Sequence, residues 1–135
     1  MTEKFWDKIK HFSPDENWGD VNKVNPYLII ALDALREATG HPIVIHNAYA
    51  TKGHSETSMH YVGKAADIHI VGMSLIDAYL AVEKLGLFNG VGLYPFWNNP
   101  GLHVDLRQKP ARWGRNAAGI YVALNDKFIT TCLNV

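Results

Sequence analysis

The clearest periodic pattern of the chain lies between Asn25 and Gly40. Apolar residues recur there three and four positions apart, and they are Leu28, Ile29, Leu32, Leu35 and Ala38. This is the period of an α-helix with one buried face. Asn25 followed by Pro26 suits the start of a helix, and Gly40 suits its end. The pattern therefore predicts a helix that begins at Pro26 and closes at Gly40.

Two further segments carry helix signals. Ser74 can cap a second helix that runs through Leu85 to Gly86, with an apolar face of Leu75, Ile76, Tyr79, Leu80 and Val82. Earlier in the chain, Ser13, Pro14 and Glu16 have the spacing of a capping box. That spacing predicts a short helical turn ending near Gly19.

Strand signals occupy most of the rest of the chain. The predicted strands are Ile43 to Ile45, Ala65 to Val71, Val91 to Tyr94 and Leu102 to Leu106, with a closing hairpin of Ile120 to Leu124 and Phe128 to Cys132. A loop rich in Gly, Ser and Thr, residues 51–59, precedes the second strand. Helices and strands do not alternate regularly, which predicts an α+β fold with a small, largely antiparallel sheet flanked by helices.

Composition narrows the class of protein. The chain has 135 residues, 13 Lys and Arg against 13 Asp and Glu, and a single cysteine, Cys132. We expect one domain over residues 1–135 without a disulfide. Zero net charge argues against nucleic acid or an anionic membrane as a partner. Because no signal-peptide core or apolar span is visible, we expect a protein that is cytoplasmic as synthesised and does not insert into membranes.

Seven histidines are the unusual feature of the composition, and one of them opens a candidate metal site. His60 and Asp67 flank Gly63, which can supply a left-handed turn. If the chain doubles back there, Asp67 on its strand faces the His60 imidazole. One imidazole nitrogen and one carboxylate oxygen would form half of a tetrahedral zinc site.

A second cluster follows in the strand Leu102 to Leu106. Strand alternation places His103, Asp105 and Arg107 on one face. His103 would supply the third zinc ligand and leave the fourth position open, as in catalytic zinc sites. Asp105 would then either accept a proton or hold an imidazole through its free N–H.

Other candidate residues keep more than one interpretation. His69 shares a strand face with Asp67 and is a ligand, a supporting partner or a solvated residue. His46 and His54 fit loop residues that bond locally or touch a substrate. Trp97 and Trp113 fit core anchors, although an aromatic side chain beside a cleft also binds ligands.

Together these motifs resemble the zinc D-Ala-D-Ala carboxypeptidase family of peptidoglycan peptidases, in the branch of phage-type endolysins and murein endopeptidases. The resemblance spans residues 25–113 and rests on Ser58-x-His60-x-x-Gly63-x-Ala65-x-Asp67, Gly90-Val91-Gly92-x-Tyr94-Pro95 and His103-Val104-Asp105. It implies one Zn²⁺ per chain on His60, Asp67 and His103. It also implies cell-wall stem peptides containing D-amino acids as substrates. We expect Ser58, Tyr94, Tyr49 and Arg107 to contact them.

The chain departs from the family pattern in two places. Many relatives carry an acidic residue three positions before the last zinc histidine, where this chain has Pro100. Asp105 is our substitute for this catalytic residue. Relatives also carry an Arg where this chain has Ala50, and Lys52, His46 or Arg107 could compensate.

Two functions follow from the resemblance and its departures. The first is zinc-dependent hydrolysis of peptide bonds in peptidoglycan, by a carboxypeptidase or an endopeptidase. Such an enzyme would act on the wall after release, as in a phage or prophage lysis system. The second is a non-catalytic, zinc-containing module that binds cell-wall peptides.

Overall fold

Six strands, four α-helices and two short 3-10 helices, Val21–Lys23 and Met59–Val62, make up the fold, in a computed structural model that describes residues 1–135. The helices are α1 (Glu3–Lys8), α2 (Pro26–Thr39), α3 (Leu75–Leu85) and α4 (Asp126–Cys132). The strands are β1 (Ile43–Asn47), β2 (Ala65–Ile70), β3 (Gly90–Tyr94), β4 (Gly101–Asp105), β5 (Ala111–Arg115) and β6 (Tyr121–Val122). No helix has the length and apolar character that crossing a bilayer requires.

All six strands belong to one sheet, in the order β1-β2-β4-β3-β5-β6. Every neighbouring pair is antiparallel except β3 and β5, which run parallel. The predicted α+β class with a largely antiparallel sheet is therefore confirmed. The chain reverses direction between β3 and β4 and again between β4 and β5. Strand β5 therefore runs in the direction of β3 and pairs with the edge of β3 that β4 leaves free.

The two faces of the sheet have different partners. Apolar side chains of the central strands, such as Ile68 and Val104, share one buried core with Leu28 and Leu32 of α2 and with Val82 of α3. Burying an aliphatic side chain of this size contributes about 1.5–3 kcal/mol. Side-chain alternation sends the intervening polar residues of β2 and β4 to the opposite face. The helices thus hold one face, and the polar residues are gathered on the other.

Both long helices begin and end where the sequence predicts. The Asn25 side chain accepts a hydrogen bond from the Tyr27 N–H at 2.9 Å, and α2 ends at Gly40 in the left-handed conformation. Ser74 caps α3 in the same way through the Asp77 N–H. Local capping chemistry and apolar periodicity together determine these helices.

The helical turn predicted between Ser13 and Gly19 is wrong, because these residues form hydrogen-bonded turns. The Glu16 carboxylate does accept from the Ser13 N–H at 3.1 Å, as in a capping box. However, the Ser13 carbonyl accepts from the Glu16 N–H at 3.5 Å and from the indole N–H of Trp18 at 2.8 Å, and it makes no bond of α-helical spacing. Trp18 is buried in the core, so its packing overrides the local helix signal.

The predicted C-terminal hairpin is also wrong. Only Tyr121–Val122 is a strand, and it pairs with β5. The second half of that segment is helix α4. Asn125 caps its start, with its side-chain oxygen accepting a hydrogen bond from the Phe128 N–H at 2.9 Å. Phe128 and Cys132 are both buried, and their spacing of four residues places them on one helix face.

Candidate metal centre

The register between β2 and β4 brings two of the three predicted ligands together. Asp67 and His103 are direct partners across these antiparallel strands. The His103 Nδ1 atom lies 3.1 Å from Asp67 Oδ1, although the residues are 36 positions apart in the chain. Gly92 is the partner of His103 on its other side, in β3. An added Cβ at Gly92 would overlap the Trp113 indole, so this glycine makes room for that ring beside the site.

The third predicted ligand comes from a short 3-10 helix, Met59–Val62. Ser58 caps it, with its Oγ accepting from the His60 N–H at 3.1 Å. Gly63 ends it with φ +69°, and an added Cβ there would overlap the Lys23 carbonyl. The chain doubles back at this point, which places His60 Nε2 3.2 Å from Asp67 Oδ1.

Hydrogen bonds behind the two imidazoles determine which nitrogens carry hydrogen. His60 Nδ1 donates to the Ala48 carbonyl at 2.6 Å, and His103 Nε2 donates to Asp105 Oδ2 at 2.7 Å. In neutral imidazoles the remaining nitrogens are therefore lone-pair donors, and both face Asp67 Oδ1. These lone pairs and the negatively charged oxygen repel one another. A bound cation between them, or a second proton on an imidazole, turns the repulsion into attraction. Two nitrogen donors and one carboxylate oxygen match the ligand preferences of zinc.

A fourth donor lies beside this group. His54 stacks on His60 with ring centroids 4.0 Å apart. Ligand atoms of His54, His60 and Asp67 all lie within 4.8 Å of one another, so these three side chains could hold a metal ion. The sequence placed His54 in the loop correctly but gave no signal that its ring would reach the predicted ligands.

Asp105 is fully buried behind His103. Besides accepting from His103, it binds the Arg107 guanidinium, with Arg107 Nη2 2.7 Å from Oδ2 and Nε 2.9 Å from Oδ1. Gly90 lies opposite Asp105 across β3 and β4, and an added Cβ would overlap the carboxylate. Asp105 therefore occupies a tight, fully hydrogen-bonded position between His103 and Arg107.

Charge and burial oppose each other in this cluster. Burial alone would raise the pKa of Asp67, but the imidazoles of His103 and His60 donate to it when they carry a second proton, which outweighs burial and holds that pKa below its ordinary value. Burial alone would lower the pKa of His103, yet the carboxylates of Asp105 and Asp67 stabilise its doubly protonated form and raise that pKa. Hydrogen bonds with His103 and Arg107 likewise outweigh burial and lower the pKa of Asp105. Both carboxylates are thus ionised at neutral pH and attract a cation.

The predicted ligands lie on the wall of a cleft of about 670 Å³, which we call the metal cleft. Its lining residues are Gly53, His54, Ser55, Thr57, Ser58, Met59, His60, Asp67, Tyr94, Trp97, His103, Arg107, Trp113, Arg115 and Tyr121. Tyr94 and Trp97 stack at 4.2 Å, and the Arg107 guanidinium lies 4.7 Å from the Trp113 ring centroid. Burial raises the pKa of Tyr94 to about 12, so its hydroxyl stays neutral. The cleft therefore offers aromatic surfaces next to the ligand group.

Three of the four predicted substrate contacts, Ser58, Tyr94 and Arg107, line the metal cleft. Tyr49 does not line it. Its backbone N–H donates to the Trp18 carbonyl at 2.9 Å, and its ring lies beneath the Lys23 ammonium. Tyr49 thus joins the loop after β1 to the N-terminal segment.

The other histidines lie outside the ligand group. His46 and His69 form a hydrogen-bonded pair on neighbouring strands, with His46 Nε2 2.6 Å from His69 Nδ1. His11 contacts Glu37, and His41 Nδ1 donates to the Val71 carbonyl at 2.9 Å. Of the alternatives for His69, the structure therefore favours the solvated strand residue, which pairs with His46 at the sheet surface.

Sequence reasoning missed the far wall of the cleft, which β5 and β6 supply. Arg115 and Tyr121 line it, with the Arg115 guanidinium 4.9 Å from the Tyr121 ring centroid. The alternation of Trp113 and Arg115 was a usable signal that both point to one face. What could not be read was that β5 joins the edge of β3, because no local pattern encodes that pairing.

A two-histidine, one-carboxylate donor set on the wall of an open cleft is of the kind that holds a metal ion such as zinc. Residues 10–105 match the family model described as Peptidase M15, which covers most of the chain. The chain therefore belongs to the Peptidase M15 family, and the resemblance read from the motifs is confirmed. Membership implies a zinc metallopeptidase. No curated protein matches the chain.

Proposed function

We propose that this protein hydrolyses peptide bonds in peptidoglycan stem peptides with one Zn²⁺ held by His60, Asp67 and His103. One observation carries the proposal: the lone-pair nitrogens of both imidazoles face a single carboxylate oxygen, 3.2 and 3.1 Å away, on the wall of an open cleft. When bound, zinc polarises a scissile carbonyl and activates water for attack on it. Action on the wall after release, as in a phage or prophage lysis system, is part of this proposal.

In this proposal Asp105 is a positioning residue. Its hydrogen bond holds the His103 ring so that Nδ1, not Nε2, is the donor toward the cleft. Arg107 in turn fixes both oxygens of Asp105. Because Asp105 is fully buried and does not line the metal cleft, this arrangement favours the orienting role over the proton-accepting role.

The remaining cleft residues are proposed to bind the peptide. Tyr94 presents a neutral hydroxyl, and Ser58 combines a cleft position with capping of the His60 helix. The aliphatic and aromatic surfaces around Trp97 and Trp113 can hold the side chains of a stem peptide. A carboxypeptidase and an endopeptidase both fit a cleft of this size, and products of digestion distinguish them.

The experiment is digestion of purified muropeptides by the zinc-loaded protein, with products identified by mass spectrometry. We expect new amino termini or released D-amino acids, loss of turnover with a chelator, and restoration by zinc. His60→Ala should abolish products, while His41→Ala, which changes an imidazole outside the cleft, should retain them. Intact muropeptides after incubation with protein of verified zinc content would contradict the proposal.

A second candidate is a non-catalytic module that binds wall peptides around a zinc site. Pro100 and Ala50 at the positions of the family's acidic residue and Arg favour it, as does the enclosure of Asp105. This function predicts zinc binding and measurable affinity for muropeptides without any cleavage product. The same digestion, paired with calorimetric binding of the muropeptide, separates the two functions.

A further inference from the structure

We propose that His54 is a fourth protein ligand of the metal, which closes the coordination sphere when no peptide occupies the cleft. The inference rests on the proposed function, because it requires the metal at His60, Asp67 and His103. It goes beyond that function by assigning a donor from the loop before His60.

The position of the His54 ring supports this assignment. The ring lies parallel to that of His60, with an interplanar angle of 17° and a centroid separation of 4.0 Å. Ligand atoms of His54, His60 and Asp67 are mutually within 4.8 Å. Donors to one zinc ion lie about 2 Å from it and therefore about 3–4 Å from one another. The His54 ring would turn from this stacked position to bring a nitrogen into that range.

The loop holds His54 in place by its backbone rather than by its ring. The Tyr61 hydroxyl accepts from the His54 N–H at 2.8 Å and donates to the His54 carbonyl at 2.7 Å. The only side-chain hydrogen bond of the ring is with Asn47, whose Nδ2 lies 2.7 Å from Nε2. The ring can therefore turn about its side-chain bonds while the backbone stays fixed beside the metal ligands.

Closure by His54 would have a chemical consequence. Zinc with four protein ligands is closed, whereas a catalytic zinc keeps one position open. His54 lines the same cleft that a peptide would enter. A peptide in the cleft would displace the His54 ring from the metal, so the position opens only when substrate is present.

The test uses Co²⁺ as a spectroscopic probe and azide as a small ligand for an open position. Wild type is compared with His54→Phe, which keeps a ring against His60 but removes both nitrogens. His41→Ala serves as the matched control. We expect His54→Phe to bind Co²⁺ at least about tenfold more weakly, since losing even a supporting partner of a ligand costs about 10–100-fold. Azide should shift the visible Co²⁺ spectrum of His54→Phe and leave wild type and His41→Ala unchanged.

The outcomes separate the inference from the function on which it rests. Equal Co²⁺ affinity and equal azide response in wild type and His54→Phe would overturn the role of His54 and leave the metal centre standing. Failure of wild type to bind Co²⁺ or Zn²⁺ would overturn both. His54→Ala repeats the comparison without the added ring, so that poor folding of the Phe variant does not decide the result.

Discussion

Asp67 and His103 face each other across β2 and β4, and the His103 Nδ1 atom is 3.1 Å from Asp67 Oδ1. This contact depends on strand register. A slip of one residue would turn either side chain to the apolar face that packs against the helices. The buried neighbours Ile68 and Val104 therefore hold Asp67 and His103 in register as well as stabilising the core.

Metal binding should stabilise the fold through Asp67. At a free zinc concentration 100-fold above the dissociation constant, we expect about 2.7 kcal/mol of added unfolding free energy in wild type. Asp67→Asn replaces the carboxylate between the two imidazoles with an amide. Zinc should raise the unfolding free energy of this variant little or not at all. Thermal unfolding with zinc and with a chelator measures both. A zinc shift of equal size in the variant would mean that the ion binds elsewhere.

Asp105→Asn distinguishes the two roles that the sequence left open. If Asp105 orients His103, the variant should bind zinc about 10–100-fold more weakly, because the negative partner of the imidazole is lost. A proton-accepting role instead predicts unchanged zinc affinity with loss of turnover. Competition with a chromophoric chelator gives the affinity. Asp15→Asn, at an exposed residue that does not line the cleft, controls for a general effect of removing a charge.

Much of this candidate centre could be predicted because its proposed ligands obey local rules. Alternation along β2 and β4 puts Asp67 and His103 on polar faces, and Gly63 marks the turn that returns His60 to them. Capping residues likewise predict α2 and α3.

Features that depend on distant packing could not be predicted in the same way. Burial of the Trp18 side chain prevents the predicted helical turn, and helix α4 forms where a strand was predicted. The edge pairing of β5 with β3, and the approach of His54 to the ligand group, arise only when the sheet is assembled.

Gly63 should be far less tolerant of substitution than Gly40, although both have φ +69°. A left-handed conformation costs a non-glycine residue about 1–2 kcal/mol. Gly40→Ala should lose about that much unfolding free energy and no more, because nothing lies within 4 Å of the added Cβ. Gly63→Ala adds an overlap with the Lys23 carbonyl, and overpacking costs about 1–3 kcal/mol more. Chemical denaturation compares the two, and equal losses would mean that the turn at Gly63 shifts freely.

Cys132 should make stability depend on pH in the alkaline range. Burial raises the pKa of this thiol to about 11, whereas a thiol in an unfolded chain has a pKa of about 8.5. Because the pKa is higher in the folded state, the contribution of the neutral thiol is fully present below about pH 8.5 and is lost as the pH rises through about 11.

Between pH 8 and 11 the unfolding free energy of wild type should therefore fall by about 2–3 kcal/mol more than that of Cys132→Ala. The comparison uses the slope of unfolding free energy against pH for each protein, because the variant also loses packing at α4 at every pH. In native wild type the thiol should react slowly with a disulfide reagent, and in denaturant it should react at once. Parallel pH profiles for the two proteins, together with fast labelling of the native thiol, would show that Cys132 is accessible to water in the folded chain.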